Sequence, residues 1–189
     1  MTLQTTRLVL EPWSEHHLEE FVRLTADERV MQGIGRGGPW SRVEAEHRFA
    51  EALRHWELKG FGWRSAVEHA TGMWVGLIAL NHVGPGIEGI ASDEVEIGWW
   101  LDVGAWRRGF ATEGAGAVGV EAFDRVGVGR MIARTRPGNA ASLNIMSKLG
   151  MTPWVDTTGR HGEQLRVFAI DRETWRQREL SSPDRPIHP

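Results

Sequence analysis

The sequence predicts a single α/β (α+β) domain with a mixed sheet. Three observations predict this class: amphipathic helical segments lie early and in the middle of the chain, several strand-like runs are spaced as hairpins, and one strand–helix–strand unit lies among them. At 189 residues, the chain is long enough to bury one sizeable core. No internal repeat or second domain is visible.

The elements of the first half follow from helix caps and from the spacing of apolar residues. Ser14 is a favourable N-cap for a first helix, in which Leu18 and Phe21 share one face. Ser41 and Glu44 form a capping-box pattern that predicts the start of a second helix. The predicted elements are a strand at 7–13, helices at 14–24 and 41–60, and strands at 63–68 and 73–83.

In the second half, strict alternation predicts a half-buried strand, with Val95 and Ile97 on one face and Glu94 and Glu96 on the other. Asn139 is a favourable N-cap for the last predicted helix. The predicted elements are a strand at 93–101, a helix at 112–126, a strand at 131–135, a helix at 139–149, and paired strands at 151–155 and 165–170. The domain is expected over residues 1–180, and the proline-rich segment 181–189 is expected to be a disordered tail.

Composition excludes several classes of function. The chain has no cysteine, which rules out a thiol nucleophile, a disulfide framework and a cysteine zinc site. The eight histidines lack metal-ligand spacing. The adjacent His16 and His17 are expected to point to different faces of a helix, so no metal site is predicted. A formal net charge of −3 with scattered basic residues argues against nucleic acid as a partner. Without a long apolar run or a basic leader, no membrane partner is predicted, and the cytoplasm is the expected location.

The most informative segment is the loop at 106–112, between a predicted strand and a predicted helix. Its backbone N–H groups and the positive end of the helix dipole favour a phosphate group. Gly109 lets a ligand approach the backbone closely, and Arg107 and Arg108 add charge where a pyrophosphate would lie. The alternative is an ordinary strand-to-helix connection with two solvated arginines.

A second glycine pattern, at 114–119, matches G-x-G-x-x-G but stands in a different context. A dinucleotide-binding fingerprint opens a helix directly after a strand, and an acidic residue follows about twenty positions later. Here the glycines fall inside the predicted helix, and the segment 134–139 contains no acid. Close packing of the helix on the sheet is the favoured interpretation, with a dinucleotide-binding oxidoreductase kept as an alternative.

Four further motifs give the loop its context. They are Thr6-Arg7-Leu8-Val9-Leu10, Glu96-Ile97-Gly98-Trp99-Trp100-Leu101-Asp102, Asn139-Ala140-Ala141-Ser142-Leu143-Asn144 and Lys148-Leu149-Gly150-Met151. In this order and at these spacings, the chain resembles the GNAT acetyltransferase superfamily, and within it the branch of ribosomal-protein N-terminal (alanine/serine) acetyltransferases. The resemblance spans residues 6–170. It implies a mostly antiparallel sheet that splays between the strands at 94–101 and 131–135 to hold acetyl-CoA.

The resemblance also implies which residues contact acetyl-CoA. The loop would bind the pyrophosphate through main-chain N–H groups, the strand end would pair with the pantetheine arm, and the helix at 139–149 would face the co-substrate. By position, these residues are Leu101, Val103, Trp106, Arg107, Arg108, Gly109, Phe110, Ala111, Thr112, Asn139 and Ser142. Trp106 stands where the superfamily pattern usually begins with Gln or Arg, a variant that is frequent in the branch.

The implied reaction is direct attack of a primary amine on the thioester. A protonated amine cannot attack, so a base must remove its proton. The family often uses a carboxylate on this strand, which makes Glu96 and Glu94 the candidates; solvated carboxylates are the alternative. N–H donors near Leu101 would stabilise the oxyanion. Many members protonate the leaving thiolate with a tyrosine, but this chain has none. Ser142 is the substitute, expected to position the sulfur more than to donate a proton.

The acceptor is expected to be a protein N-terminus or a small amine, in a pocket built from residues 13–40 and 85–92. A non-catalytic acyl-CoA-binding sensor or regulatory protein is the second interpretation, because the chain lacks the tyrosine. The expected state is a monomer or a homodimer.

Overall fold

The computed structural model describes residues 1–181, which form one eight-stranded sheet. The strands lie in the order β1-β2-β3-β4-β5-β6-β8-β7. Their bounds are β1 Leu3–Gln4, β2 Leu8–Pro12, β3 Arg64–Glu68, β4 Trp74–His82, β5 Val95–Leu101, β6 Arg130–Thr135, β7 Thr152–Thr158 and β8 Gln164–Asp171. All neighbours are antiparallel except β5 and β6. The tail predicted at 181–189 falls outside the described residues, apart from Ser181 at the end of the last helix.

Six α-helices flank the sheet in the described part of the chain. They are α1 Leu18–Ala26, α2 Glu28–Met31, α3 Arg42–Lys59, α4 Phe110–Val120, α5 Ala140–Lys148 and α6 Arg172–Ser181. The first predicted helix begins as a 3-10 turn, Glu15–His17, and the helix predicted at 112–126 ends in a π-helical turn, Glu121–Val126. The Ser41 hydroxyl accepts a hydrogen bond from the Glu44 N–H, which confirms this predicted cap. Within residues 1–181, every helix is too short or too polar to cross a membrane.

The sheet carries a separate core on each face because side chains alternate along its strands. On β4, Leu77 and Ala79 pack against α1 and α3, whereas Ile78 and Leu80 pack against α4. The α1 and α3 face is rich in aromatic side chains, with Trp13 packed against other rings. The α4 face is mostly aliphatic, although it includes Phe110, Phe123 and Trp175. Helices therefore cover both faces of the sheet.

The pairing between β5 and β6 is incomplete. Only Val95 with Met131 and Glu96 with Ile132 are paired, although both strands continue beyond these residues. Parallel neighbours need a crossover connection, and α4 provides it. The two strands therefore separate toward their C-terminal ends, which confirms the predicted splay.

The glycines at 114–119 serve helix packing. A Cβ on Gly114 would lie 2.9 Å from the Ile78 side chain, and one on Gly119 would collide with the Trp175 ring. A Cβ on Gly116 would meet open space. The pattern lies wholly inside α4, so the packing interpretation is confirmed and the dinucleotide fingerprint is excluded.

Candidate functional site

A cavity of about 1330 Å³ lies where β5 and β6 separate. Its walls come from the loop at 106–112, the end of β5, the start of α5, and the segment 29–36 after α1. Strand ends, a helix N-terminus and loops converge here from several parts of the chain. This arrangement is typical of a small-molecule site.

The loop before α4 has the backbone geometry of an anion site. Gly109 is the left-handed N-cap of α4, with φ +85°. Arg107, with φ +60°, is the one non-glycine residue of positive φ in residues 1–181. The first N–H groups of an α-helix have no partner within the helix. Left-handed residues beside such a terminus turn successive N–H groups toward one point, which suits a phosphate.

The two loop arginines have different surroundings. Arg107 lines the cavity. The Arg108 guanidinium instead pairs with Glu68 and lies 4.5 Å from the centroid of the Phe110 ring. The Arg108 side chain therefore holds the loop against β3. Only the Arg108 backbone N–H could contact a pyrophosphate, as predicted for the loop.

Arg7 is a residue whose part in the site was not predicted. Its Nη1 donates to the Arg108 carbonyl at 2.8 Å, and its Nε donates to Glu113 at 2.7 Å. Glu113 lies in the first turn of α4, where a carboxylate suits the helix dipole. The weak Thr-x-Arg-Leu motif thus marks an anchor for the loop.

The end of β5 is tied to the loop through Trp106. Its indole N–H donates to the Leu101 carbonyl at 2.9 Å, and both residues line the cavity. Val103 lies outside the cavity lining and packs against the α1 and α3 core. Leu101 and Trp106 therefore lie in the wall of the cavity, whereas Val103 lies outside it.

The start of α5 forms the opposite wall. The Asn139 carboxamide accepts a hydrogen bond from the Ser142 N–H at 3.1 Å, and both residues line the cavity. The predicted cap is confirmed, and the Ser142 position agrees with the predicted site. Thr135, at the end of β6, also lines the cavity, and its buried hydroxyl has no hydrogen-bond partner within residues 1–181. Sequence patterns gave no signal for Thr135.

The two candidate bases lie in different places. Glu96 lines the large cavity and forms a two-pronged ion pair with Arg134, at 2.9 and 2.6 Å. Glu94 pairs with Arg130 and lines a separate, open cavity of about 680 Å³. The structure therefore separates Glu94 from the loop and from Ser142. Neither carboxylate is simply solvated, since both side chains are less than one-fifth exposed.

The lining of the large cavity combines tryptophans with arginines. We call the part lined by the following residues the recess: Trp40, Trp63, Trp100, Arg36, Arg48, Arg134, Arg136 and Arg160. The predicted acceptor segment 13–40 contributes eight residues between Arg29 and Trp40 to the whole cavity, whereas the segment 85–92 contributes only Ile87. The hairpin between β7 and β8, which sequence analysis did not assign to the site, supplies Arg160, His161 and Glu163.

His16 and His17 correct one detail of the sequence analysis. Their ring centroids are 3.9 Å apart, and both Nε2 atoms approach Glu11, at 3.9 and 3.5 Å. Burial and then His16 lower the pKa of His17, so the ring is neutral at pH 7. Its Nδ1 accepts the Ser14 N–H, which places its proton on Nε2, toward Glu11. His17 therefore belongs to a hydrogen-bonded cap, and its protonated Nε2 offers no lone pair to a metal.

Comparison with protein-family models matches residues 7–152 to the acetyltransferase (GNAT) domain. The chain belongs to the GNAT acetyltransferase family. It is an acetyl-CoA-dependent N-acetyltransferase, and acetyl-CoA is its co-substrate.

Three relatives illustrate the likeness. FsC-acetyl coenzyme A-N(2)-transacetylase of Aspergillus fumigatus is 31% identical, over 97% of this chain and 82% of the relative. An acetyltransferase structure from Agrobacterium tumefaciens superposes with a TM-score of 0.77 at 28% identity, covering 91% of this chain and 95% of that one. RimL, a ribosomal L7/L12 α-N-protein acetyltransferase in complex with coenzyme A, superposes with a TM-score of 0.71, covering 90% of this chain and 98% of its own. At 16% identity, this last likeness shows the fold alone.

Proposed function

We propose that the protein acetylates a primary amine of a small molecule that enters the recess. The observation that carries this proposal is the continuity of one cavity from the anion-binding loop, past the opened strands, to a wall of tryptophans. The relative that is 31% identical is named for acetylation of an N(2) position, which favours a small amine. A protein N-terminus is the second candidate, supported by the fold shared with RimL.

In this proposal, the co-substrate lies between β5 and β6. The N–H groups of residues 109–112 bind the pyrophosphate, and Arg107 adds positive charge. Asn139 and Ser142 flank the pantetheine arm from α5. The free edge of β5 toward Leu101 offers backbone groups to the amides of that arm.

The chemical step requires a neutral amine. Its nitrogen attacks the thioester carbonyl carbon, the carbon–sulfur bond breaks as the tetrahedral intermediate collapses, and the thiolate leaves with the electron pair. The amine proton passes to Glu96, directly or through water, because Glu96 is the candidate carboxylate that lines the cavity. Arg134 fixes that carboxylate in one orientation. A thiol titrates near pH ~8.5, so the thiolate can leave without a tyrosine, and Ser142 positions the sulfur.

Parallel calorimetric titrations with acetyl-CoA, CoA and NADH test the first half of the proposal. We expect acetyl-CoA and CoA to bind and NADH not to bind. A panel of small amines and short peptides, followed by release of free thiol, tests the second half. Tight acetyl-CoA binding without thiol release for any amine would support the sensor interpretation instead. Failure to bind CoA would remove the loop from the site.

A further inference from the structure

The recess contains arginines whose charges are not neutralised by carboxylates. Among the described residues, Arg36 pairs with Glu44 and Arg134 pairs with Glu96. Arg48 pairs with a glutamate outside the cavity. The remaining two arginines are Arg136 and Arg160, and within residues 1–181 no carboxylate lies in ion-pairing distance of either.

Backbone carbonyls hold these two arginines in place. Arg136 donates from Nη2 to the Gly35 carbonyl at 2.8 Å, and its buried Nε has no partner among the described residues. Arg160 donates from Nε to the Pro85 carbonyl at 2.6 Å, and from Nη2 to the Val83 carbonyl. A carbonyl satisfies an N–H group but leaves the positive charge uncompensated. Each guanidinium has five donors, so donors remain free on both.

Their position separates them from the phosphate loop. Arg134 lies near the end of β6, and Arg136 follows just after the strand ends at Thr135, where it reaches the Gly35 carbonyl between α2 and α3. The loop at 106–112 leads into α4, which packs on the face of the sheet opposite α1 and α3. Arg136 and Arg160 line the same cavity as the tryptophans, and neither belongs to the loop at 106–112.

The recess consequently has a positive potential. Burial, followed by the charge of Arg134, lowers the pKa of Arg160 below its ordinary value, although the residue stays protonated at pH 7. Glu163 is the one glutamate of the cavity lining without an ion-paired arginine in the described chain. A carboxylate that meets Arg136 or Arg160 would gain charge-assisted hydrogen bonds in a partly dry site.

We propose that the acceptor carries a carboxylate besides its amine, and that Arg136 and Arg160 bind this group. The proposal rests on the proposed function, since it assumes that the recess holds the acceptor. The two arginine charges would also assist the reaction, because nearby positive charge favours the neutral form of an amine over its ammonium form. Simple cationic amines should be poor acceptors for the same reason.

Binding of amine-free probes tests the anion site without any acetyl transfer. On CoA-saturated protein, tryptophan fluorescence would follow titration with 3-phenylpropionate and with its neutral amide. We expect the carboxylate to bind at least about tenfold more tightly than the amide. Arg136→Gln and Arg160→Gln should each bring this ratio toward one, and Arg136→Lys should restore part of it. Arg176→Gln, which removes an exposed charge on α6 outside the cavity lining, is the matched control.

Two outcomes would overturn the proposal: equal binding of the two probes by the parent protein, or a ratio that both Gln variants leave unchanged. Because Arg160 also holds the turn at 83–86, a variant counts as evidence only if its circular dichroism spectrum and its CoA affinity are unchanged.

Acetylation of phenylalanine and phenylalaninamide is measured separately. Selective carboxylate binding without acetylation of any amine would defeat the proposed function while leaving the anion site intact. Acetylation of amines without a carboxylate, together with equal binding of the two probes, would support the proposed function and overturn the anion site.

Discussion

We expect binding of acetyl-CoA to depend strongly on Gly109. Its φ of +85° is a conformation that glycine adopts freely and that costs other residues about 1–3 kcal/mol. A Cβ there would also lie 3.1 Å from Arg7 Nη2, which anchors the loop. A side chain at this position therefore acts on the loop geometry and on the space that a pyrophosphate needs.

We predict that Gly109→Val lowers the affinity for acetyl-CoA at least about tenfold, measured by calorimetry. Gly72→Val is the control, because Gly72 also has a positive φ, +67°, but lies in the turn between β3 and β4 with open space around it. Gly72→Val should lower the free energy of unfolding and leave the affinity for acetyl-CoA unchanged. Equal affinities in the two variants would contradict a phosphate role for the loop.

Glu96 and Glu94 offer a second matched pair of substitutions. Glu96→Gln should lower kcat by about 10²-fold or more at neutral pH, within the range for general-base catalysis, with little change in acetyl-CoA affinity. Glu94→Gln should leave kcat nearly unchanged, because Glu94 lines the other cavity. The measurement is thiol release against pH for the best amine of the panel. An equal, small effect of both changes would assign the proton to water.

Among the elements, α4 shows how one helix serves both the site and the core. Its N-terminus forms the anion loop, while Gly114 and Gly119 allow it to lie close to the sheet and to α6. Glycine inside a helix costs about 0.5–1 kcal/mol relative to alanine, so each one needs a compensating contact. Gly119 has such a contact with Trp175, whereas Gly116 has none within 4 Å.

This difference predicts opposite effects of one substitution at two positions of the same helix. Gly119→Ala should destabilise the protein by about 1–3 kcal/mol, because its Cβ collides with the buried Trp175 ring. Gly116→Ala should stabilise it by about 0.5–1 kcal/mol through helix propensity alone. Urea unfolding measures both free energies. An unchanged free energy of unfolding for Gly119→Ala would show that the Trp175 ring moves aside at no cost.

The sequence predicted the elements whose patterns are local. The alternation in β5 and the caps at Ser41 and Asn139 agree with the structure, because each depends on neighbours within a few residues. The short β1 and α2 carry too few residues for a periodic pattern.

The site was predicted as far as its motifs extend. Motifs predicted the loop and the start of α5, and both line one cavity in the structure. The ion pairs that hold Glu94, Glu96 and Arg108 were not predicted, because their partners are 36 to 40 residues away in sequence. The contribution of Arg160 depends on where a hairpin tip folds back, which no local pattern contains.

For the molecule as a whole, one buried ion pair joins the sheet to the helical layer. Arg64 on β3 donates to both oxygens of Glu121, at 2.6 and 2.5 Å, and each side chain is 1% exposed. Arg64 also donates to the Leu10 and Met1 carbonyls, at 3.2 and 3.0 Å, so the same guanidinium holds the first residues of the chain. Arg125, which is 42% exposed, completes the cluster.

Breaking this pair should therefore affect global stability. Glu121→Gln should lower the free energy of unfolding by about 3–5 kcal/mol, because it leaves the buried Arg64 charge unpaired. Arg125→Gln should cost about 1 kcal/mol or less, since that partner is largely solvated. Urea unfolding at pH 7 compares the two variants, and similar losses would show that the buried pair has no special weight.

The same pair predicts how the protein responds to acid. Burial alone would raise the pKa of Glu121, but the hydrogen bonds and charges of Arg64 and Arg125 outweigh it and hold the pKa below its ordinary value. A lowered folded-state pKa means that the stabilisation is complete above the unfolded-state pKa of about 4.3. It is lost as the pH falls from there through the folded-state value. The free energy of unfolding of the parent protein should thus decline below pH ~5, whereas that of Glu121→Gln should decline less steeply over the same interval. If the free energies of unfolding of the two proteins fell with equal slopes between pH ~5 and ~3, the acid sensitivity would come from other carboxylates.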